Sequence, residues 1–147
     1  MSESTVPTVK APWHIWVVGV VSLLWNSGGA LDFVMTESRN KAYTSSFTAE
    51  QSAYFYGFPV WVVAVWGVAV WGGVLGSLLV LLRKRQAVPL FLASAVCMVL
   101  IDIYSFALSN GFKVMGGGGL AFSAVIFVIG VLLLAYARAM RKRRVLG

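Results

Sequence analysis

Two carboxylates interrupt otherwise apolar stretches of this sequence, and they are the side chains with the clearest chemical potential. Asp32 and Asp102 are each flanked by hydrophobic residues of the kind that form membrane-spanning helices. An aspartate at the centre of a span costs about 2.5–3.5 kcal/mol on insertion scales, and less near the interface. We therefore expect such an acid to face protein or a water-filled cavity, where it can hold a proton or bond a polar solute.

The residues around Asp102 repeat at helical spacing. Ser94, Met98, Asp102, Ser105 and Ser109 are four, four, three and four positions apart. That spacing places them on one face of a helix, with Met98 as the only apolar member. The pattern predicts a polar stripe on the helix that carries Asp102.

A second polar face precedes Asp32. Gly19, Ser22, Asn26 and Gly29 recur at intervals of three, four and three. Asn26 lies close to the middle of its apolar stretch, where the donors and acceptors of an amide need partners. This face is a candidate counterpart to the stripe around Asp102.

Together the two faces predict a polar cavity in the bundle that binds a solute or a proton. Its candidate residues are Asn26, Asp32, Asp102, Tyr104 and Ser105. The alternative is purely structural: Asn26 and Asp102 join helices through hydrogen bonds, and Asp32 lies at a solvated helix end.

Composition indicates which elements must position these residues. Hydrophobic residues make up 59% of the 147 positions and charged residues only 12%, whereas globular chains carry about 25% charge. Three stretches of 21, 32 and 24 residues have no charge, and a fourth has only Asp102. Since a helix of ~20 apolar residues crosses a bilayer, each stretch is long enough to span.

The sequence therefore predicts an all-α integral membrane protein whose residues 1–147 form a single four-helix bundle. A glycine-rich turn, Gly116–Gly119, is expected between the last two spans. The four spans are expected at about 13–35, 52–82, 87–109 and 120–140, and the second is long enough to include an interfacial turn before Pro59.

The basic residues predict the orientation of the bundle. Nine of the twelve fall on the side that carries both termini, and three fall on the other side. The positive-inside rule then places both termini in the cytoplasm. Because the basic residues cluster at span ends, we expect no nucleic-acid partner despite the net charge of +7.

The second span carries small residues at packing intervals. Gly72, Gly73 and Gly76 pair at four-residue spacing with one another, with Ser77 and with Ala69. Such faces let helix backbones approach closely. We favour packing inside the bundle over a seam between protomers.

Several chemistries have no basis in the sequence. His14 is the only histidine and has no acidic or cysteine neighbour at ligand spacing, so we expect no metal and no other cofactor. The sequence also contains no phosphate-binding loop and no nucleophile motif. We therefore expect a protein that is not an enzyme.

Several short pieces along the sequence carry a resemblance to a known group: Trp25-Asn26, Gly29, Asp32-Phe33, Thr36, Arg39-Asn40, Tyr43, Tyr54, Pro59, Trp61 and the link Arg83–Ala87. On these residues the chain resembles a group of small four-span bacterial inner-membrane proteins loosely labelled "sugar transporter", and the resemblance covers nearly its whole length. It also resembles small multidrug-resistance transporters in size and span number, but its first span lacks their mid-membrane glutamate.

The resemblance and the polar stripe together predict a transporter or binding protein for a small polar solute in the bacterial inner membrane. A bundle of four spans is small for alternating access, which many transporters build from two repeats. We therefore expect a homo-oligomer or a place in a larger membrane complex. The alternative is a non-catalytic accessory subunit, which would co-purify with a fixed partner.

Overall fold

The computed structural model describes residues 9–147, and this part of the chain is helical with no strand. A π-helical segment, Tyr104–Leu108, extends the fifth helix. In chain order the α-helices are α1 (His14–Glu37), α2 (Lys41–Thr44), α3 (Ala49–Tyr56), α4 (Val60–Leu81), α5 (Ala87–Ile103) and α6 (Gly111–Lys142).

Four of these elements are long and apolar enough to cross a membrane: α1, α4, α5 with its π-helical segment, and α6. The prediction of an all-α, four-span membrane protein is therefore confirmed. The cytoplasmic placement of the termini stays a prediction.

The bundle has two ends of different character. The connector end carries α2 and α3, which join α1 to α4, and the short link between α5 and α6. The terminal end carries residues 9–13, the link 82–86 and the tail 143–147. Helix α4 packs between α1 and α5, and α6 packs against α5.

The largest buried apolar cluster closes the terminal end. It joins the beginning of α1, the ends of α4 and α6, the beginning of α5, and the tail. Its buried members are Ile15, Val80, Ala87, Val88, Phe91, Ala137, Met140, Val145 and Leu146.

The predicted second span begins later than residue 52, because its first part is a separate short helix. Helix α3 begins with a capping box, in which Thr48 and Gln51 each bond the other's backbone N–H at 3.1 Å. It ends at Tyr56, and Pro59 caps the N-terminus of α4. Proline is favoured at a helix start because its missing donor costs nothing there.

The turn between the last two spans lies earlier than predicted, and the predicted position holds a helix break. The chain turns at Ser109 and Asn110, and α6 begins at Gly111 rather than near residue 120. A Cβ atom on Gly111 would clash with the Ser105 backbone carbonyl and lie 2.8 Å from the Tyr54 hydroxyl, so only glycine fits this tight turn. At Gly116 the backbone leaves helical geometry, with a φ of 72° and a ψ of −171°, so α6 joins two helical segments across a kink inside the predicted glycine-rich turn.

Candidate polar site within the helix bundle

A cavity of about 20 Å³ lies at mid-bundle, where all four spanning helices meet. Helix α1 contributes Asn26, α4 contributes Gly73, and α5 contributes Ser94 and Met98. Apolar side chains of α6 form the remaining wall. A cavity needs roughly 10–15 Å³ of such volume to hold one water molecule, so this one has room for water but not for a sugar-sized solute.

Asn26 joins α1 to α4 at the edge of this cavity. Its amide nitrogen donates to the Ser77 hydroxyl at 3.1 Å and to the Ser22 carbonyl at 2.9 Å. Ser77 in turn donates to the Gly73 carbonyl at 2.8 Å. The carboxamide lies so close to Gly73 that a Cβ atom there would be 2.8 Å from Asn26 Cγ. Asn26 is therefore both a helix-joining residue and a cavity-lining residue.

The glycines of α4 contact two different helices. Gly73 faces Asn26 of α1, whereas Gly72 and Gly76 face α5. A Cβ atom would lie 3.3 Å from the Leu90 carbonyl at Gly72 and 2.7 Å from the Phe91 ring at Gly76. These three buried glycines thus lie at contacts inside a single chain.

Asp102 lies on the inward face of α5, toward the connector end. It follows the buried Phe91 and Ala95 by eleven and seven residues, which is the spacing of one helix face. Met98, one turn before it, lines the cavity. Ser105, one turn after it, is buried. Asp102 is therefore placed between the mid-bundle cavity and the connector end.

The carboxylate of Asp102 receives no hydrogen bond and no ion pair from residues 9–147. Its side chain is half-buried. Within that part of the chain, no fully buried side-chain oxygen or nitrogen lacks a partner, so the Asp102 oxygens are not fully buried, although Asp102 does not itself line the mid-bundle cavity. This combination of inward position, accessibility and missing partner distinguishes Asp102 from the other predicted site residues.

Asp32 has a partner that the sequence analysis did not assign. The Tyr43 hydroxyl donates a hydrogen bond to the Asp32 carboxylate at the connector end. This bond, with burial and the negative charge of Asp32, raises the pKa of Tyr43 to about 12. The contact fastens α2 to the end of α1.

Tyr104 and Ser105 lie in the π-helical segment and face different surroundings. The Tyr104 ring packs edge-on against Phe58 and Trp61, with centroids 5.7 and 5.5 Å apart. The Ser105 carbonyl accepts a hydrogen bond from the Ser109 hydroxyl at 3.1 Å. Single π-helical turns occur frequently at functional sites in helices.

Tyr54 makes a contact in this region that the sequence analysis did not predict. Its hydroxyl lies 2.7 Å from the Ser109 hydroxyl, so α3 is fastened to the link between α5 and α6. Around it, α3 and the adjacent helix ends form an aromatic cluster at the connector end. The cluster comprises Phe33, Tyr43, Phe47, Tyr54, Phe55, Phe58, Trp61, Trp66 and Tyr104.

The five predicted site residues thus fall into three groups. Asn26 lies at the mid-bundle cavity, Asp32 accepts a hydrogen bond from Tyr43, and Asp102 with residues 104 and 105 of the π-helical segment lies toward the connector end. Within residues 9–147, no three His, Cys, Asp or Glu side chains come together as metal ligands.

Fold and site together define a four-span helical membrane protein with an acid on an inward helix face that has no partner within residues 9–147. No protein-family model matches the chain, and no curated protein and no solved structure matches it either.

Proposed function

We propose that this protein binds a small polar solute or a proton at Asp102 and moves it across the bacterial inner membrane. The observation that carries the proposal is the partly accessible Asp102 carboxylate, which faces inward without a partner from residues 9–147. Asn26 and Ser94 at the adjacent cavity supply further polar groups along the same path.

The energetics of the membrane support a functional role for this acid. A charged side chain in a span costs about 2.5–3.5 kcal/mol on insertion scales unless it finds partners or water. The groups that would satisfy Asp102 from within the bundle are a proton, water and a polar solute, and the first and last of these are what a transporter carries. Its inward position favours these over lipid contact.

The two ends of the bundle support entry from one side. The apolar cluster around Ile15, Phe91 and Leu146 closes the terminal end. The polar residues Asp102 and Ser109 lie toward the opposite end. The nine-to-three distribution of basic residues favours cytoplasmic termini, so this entry would face away from the cytoplasm.

The size of the cavity supports a homo-oligomer or a rearrangement during transport. About 20 Å³ holds a water molecule, and a larger solute needs the helices to separate or a second protomer to complete the path. Helix α6 packs mainly against α5 and is the least buried of the four spanning helices, so it is the element best placed to move.

Uptake by reconstituted protein tests the proposal. Proteoliposomes containing an entrapped pH dye are exposed to pH jumps with and without a panel of monosaccharides. We expect Asp102→Asn to insert normally and to abolish either the proton flux or its response to sugar. Glu50→Gln, which removes an exposed carboxylate from α3, is the matched control and should behave as wild type. Full activity of Asp102→Asn would overturn the proposal.

An accessory role in a larger complex remains the second candidate, because the same unpartnered carboxylate would suit a group on another chain. Affinity purification from native membranes distinguishes the two. A partner at fixed stoichiometry that Asp102→Asn loses favours the accessory subunit. Purification of the chain alone, with activity retained, favours the transporter.

A further inference from the structure

The basic residues of the terminal end are held in one fixed surface by a set of backbone contacts. The Arg83 guanidinium donates from Nε to the Val145 carbonyl at 3.1 Å and from Nη2 to the Val9 carbonyl. The Val9 N–H donates to the Arg144 carbonyl at 3.1 Å. One arginine therefore ties together the N-terminal arm, the link after α4 and the tail after α6.

The tail is also anchored by packing. Val145 and Leu146 are only 2% and 3% exposed, and they belong to the apolar cluster at the terminal end. The basic run Arg141–Arg144 directly before them is consequently positioned by the fold rather than free to extend. Less backbone entropy is lost when such a preorganised segment binds a ligand.

Within residues 9–147, no acidic side chain compensates the charge on this surface. Eight exposed cationic residues of this surface form what we call the terminal basic patch: Lys10, Lys84, Arg85, Arg138, Arg141, Lys142, Arg143 and Arg144. In the described part of the chain the acidic residues Asp32, Glu37, Glu50 and Asp102 all lie in the connector half. The patch therefore has no acidic side chain beside it within residues 9–147.

Two tryptophans place the patch at the depth of lipid headgroups. Trp13 and Trp16, at the beginning of α1, are 75% and 47% exposed. Tryptophan is enriched at the boundary between hydrocarbon and headgroups, so the neighbouring basic side chains lie at the level of lipid phosphates. Arginine in particular suits phosphate, because its planar group donates two parallel hydrogen bonds.

We propose that the terminal basic patch is a binding site for anionic phospholipid, whose phosphodiester headgroups supply the missing counter-charge and hold arm, link and tail together. The proposal is independent of the function assigned to Asp102. Basic residues beside an anionic membrane surface each strengthen binding by about fivefold, so several fixed together give a strong preference over zwitterionic lipid.

Thermal melting of the full chain in detergent, titrated with short-chain lipids, tests this site. We expect phosphatidylglycerol to raise the melting temperature and phosphatidylcholine of equal chain length to have little effect. Inorganic phosphate and glycerol phosphate, at equal concentration, should also have little effect. Equal responses to the two lipids would overturn the proposal, and reproduction of the effect by free phosphate would overturn the lipid as its ligand.

Charge removal locates the site. The variant Arg141→Gln, Arg143→Gln, Arg144→Gln keeps the Arg144 carbonyl and the buried Val145. We expect the phosphatidylglycerol concentration that gives half of the melting-temperature rise to increase roughly a hundredfold, at about fivefold for each charge removed. The control variant Arg39→Gln, Lys41→Gln, Lys113→Gln removes as many charges from the connector end and should keep the response.

Equal weakening of both variants would overturn the assignment to the terminal basic patch. If the tail variant does not fold, Lys84→Gln with Arg85→Gln provides a second test. For this variant we expect the phosphatidylglycerol concentration that gives half of the effect to increase roughly twenty-five-fold. Wild-type protein should also lose the phosphatidylglycerol response in high salt, since exposed charges are screened. An unchanged response in high salt would contradict the proposal.

Discussion

Asp32 and Asp102 look alike in the sequence, since both are single acids in apolar stretches, yet their surroundings differ. Tyr43 donates to the Asp32 carboxylate, whereas Asp102 has no partner from residues 9–147. The sequence could indicate that both acids need partners, because insertion of a bare carboxylate is costly. It could not indicate which acid receives one, because Tyr43 reaches Asp32 only through the path of the connector.

The Asp32–Tyr43 contact gives a prediction at the residue scale. The pKa of Tyr43 is raised from 10.0 to about 12, so the protonated phenol is favoured in the folded protein. Its contribution to stability is therefore complete below pH 10 and is lost as the pH rises through about 12. The difference in phenolate absorbance between wild type and the Tyr43→Phe variant should rise at a pH of about 12.

The control for this measurement is Asp32→Asn, in which the carboxylate and its charge are removed. We expect the Tyr43 titration to return toward the ordinary value in that variant. A wild-type difference spectrum that titrates near 10.0 would show that the hydroxyl does not bond Asp32 in solution.

At the scale of elements, α4 is the centre of the bundle because it presents small residues to two neighbours. Gly73 and Ser77 meet α1, while Gly72 and Gly76 meet α5. Polar contacts accompany both faces, with Ser94 of α5 donating to the Ala69 carbonyl. Interhelical hydrogen bonds in membranes average only about 0.6 kcal/mol, so close packing has to supply much of the association.

Gly76→Leu tests the packing of α4 against α5. A Cβ atom at Gly76 already lies 2.7 Å from the Phe91 ring, and overpacking of this kind costs roughly 1–3 kcal/mol. We expect a lower melting temperature in detergent with an unchanged oligomeric state on gel filtration. Gly28→Leu is the matched control, because no atom lies within 4 Å of its Cβ position. Loss of an oligomer with a normal melt would instead place Gly76 between protomers.

The four spans and the small face of α4 were predictable because hydropathy and spacing depend only on sequence. The beginning of α6 was not, because the glycine run drew attention away from the Asn110-Gly111 turn. Gly111 is required because a Cβ atom there would meet the Ser105 backbone carbonyl and the Tyr54 hydroxyl, and both contacts depend on how the link folds. The hydrogen-bond partners of Asp32 and Ser109 also come from the connector, so the sequence could not predict them either.

At the scale of the whole molecule, the two ends differ in charge and in chemistry. The terminal end combines the apolar cluster with the terminal basic patch, and the connector end combines aromatic rings with the acids. This asymmetry predicts cytoplasmic termini by the positive-inside rule.

Cysteine labelling in intact cells tests the orientation, in a Cys97→Ala background that removes the native thiol. Ser45→Cys is exposed at the connector end and Gln86→Cys is exposed at the terminal end. We expect an impermeant maleimide to label position 45 and not position 86 until the cells are broken. Labelling of position 86 alone would reverse the orientation.

The central claim is that Asp102 faces a water-accessible path inside the bundle, and accessibility at that position tests it most directly. In the same Cys97→Ala background, reconstituted Asp102→Cys is treated with a small, charged thiol reagent and compared with Ile103→Cys. Ile103 is 47% exposed and, as the next residue, lies on a different face of the helix, so we expect lipid to cover it. We predict rapid reaction at position 102 and none at position 103. Reaction at position 103 alone, or at neither position, would contradict the account.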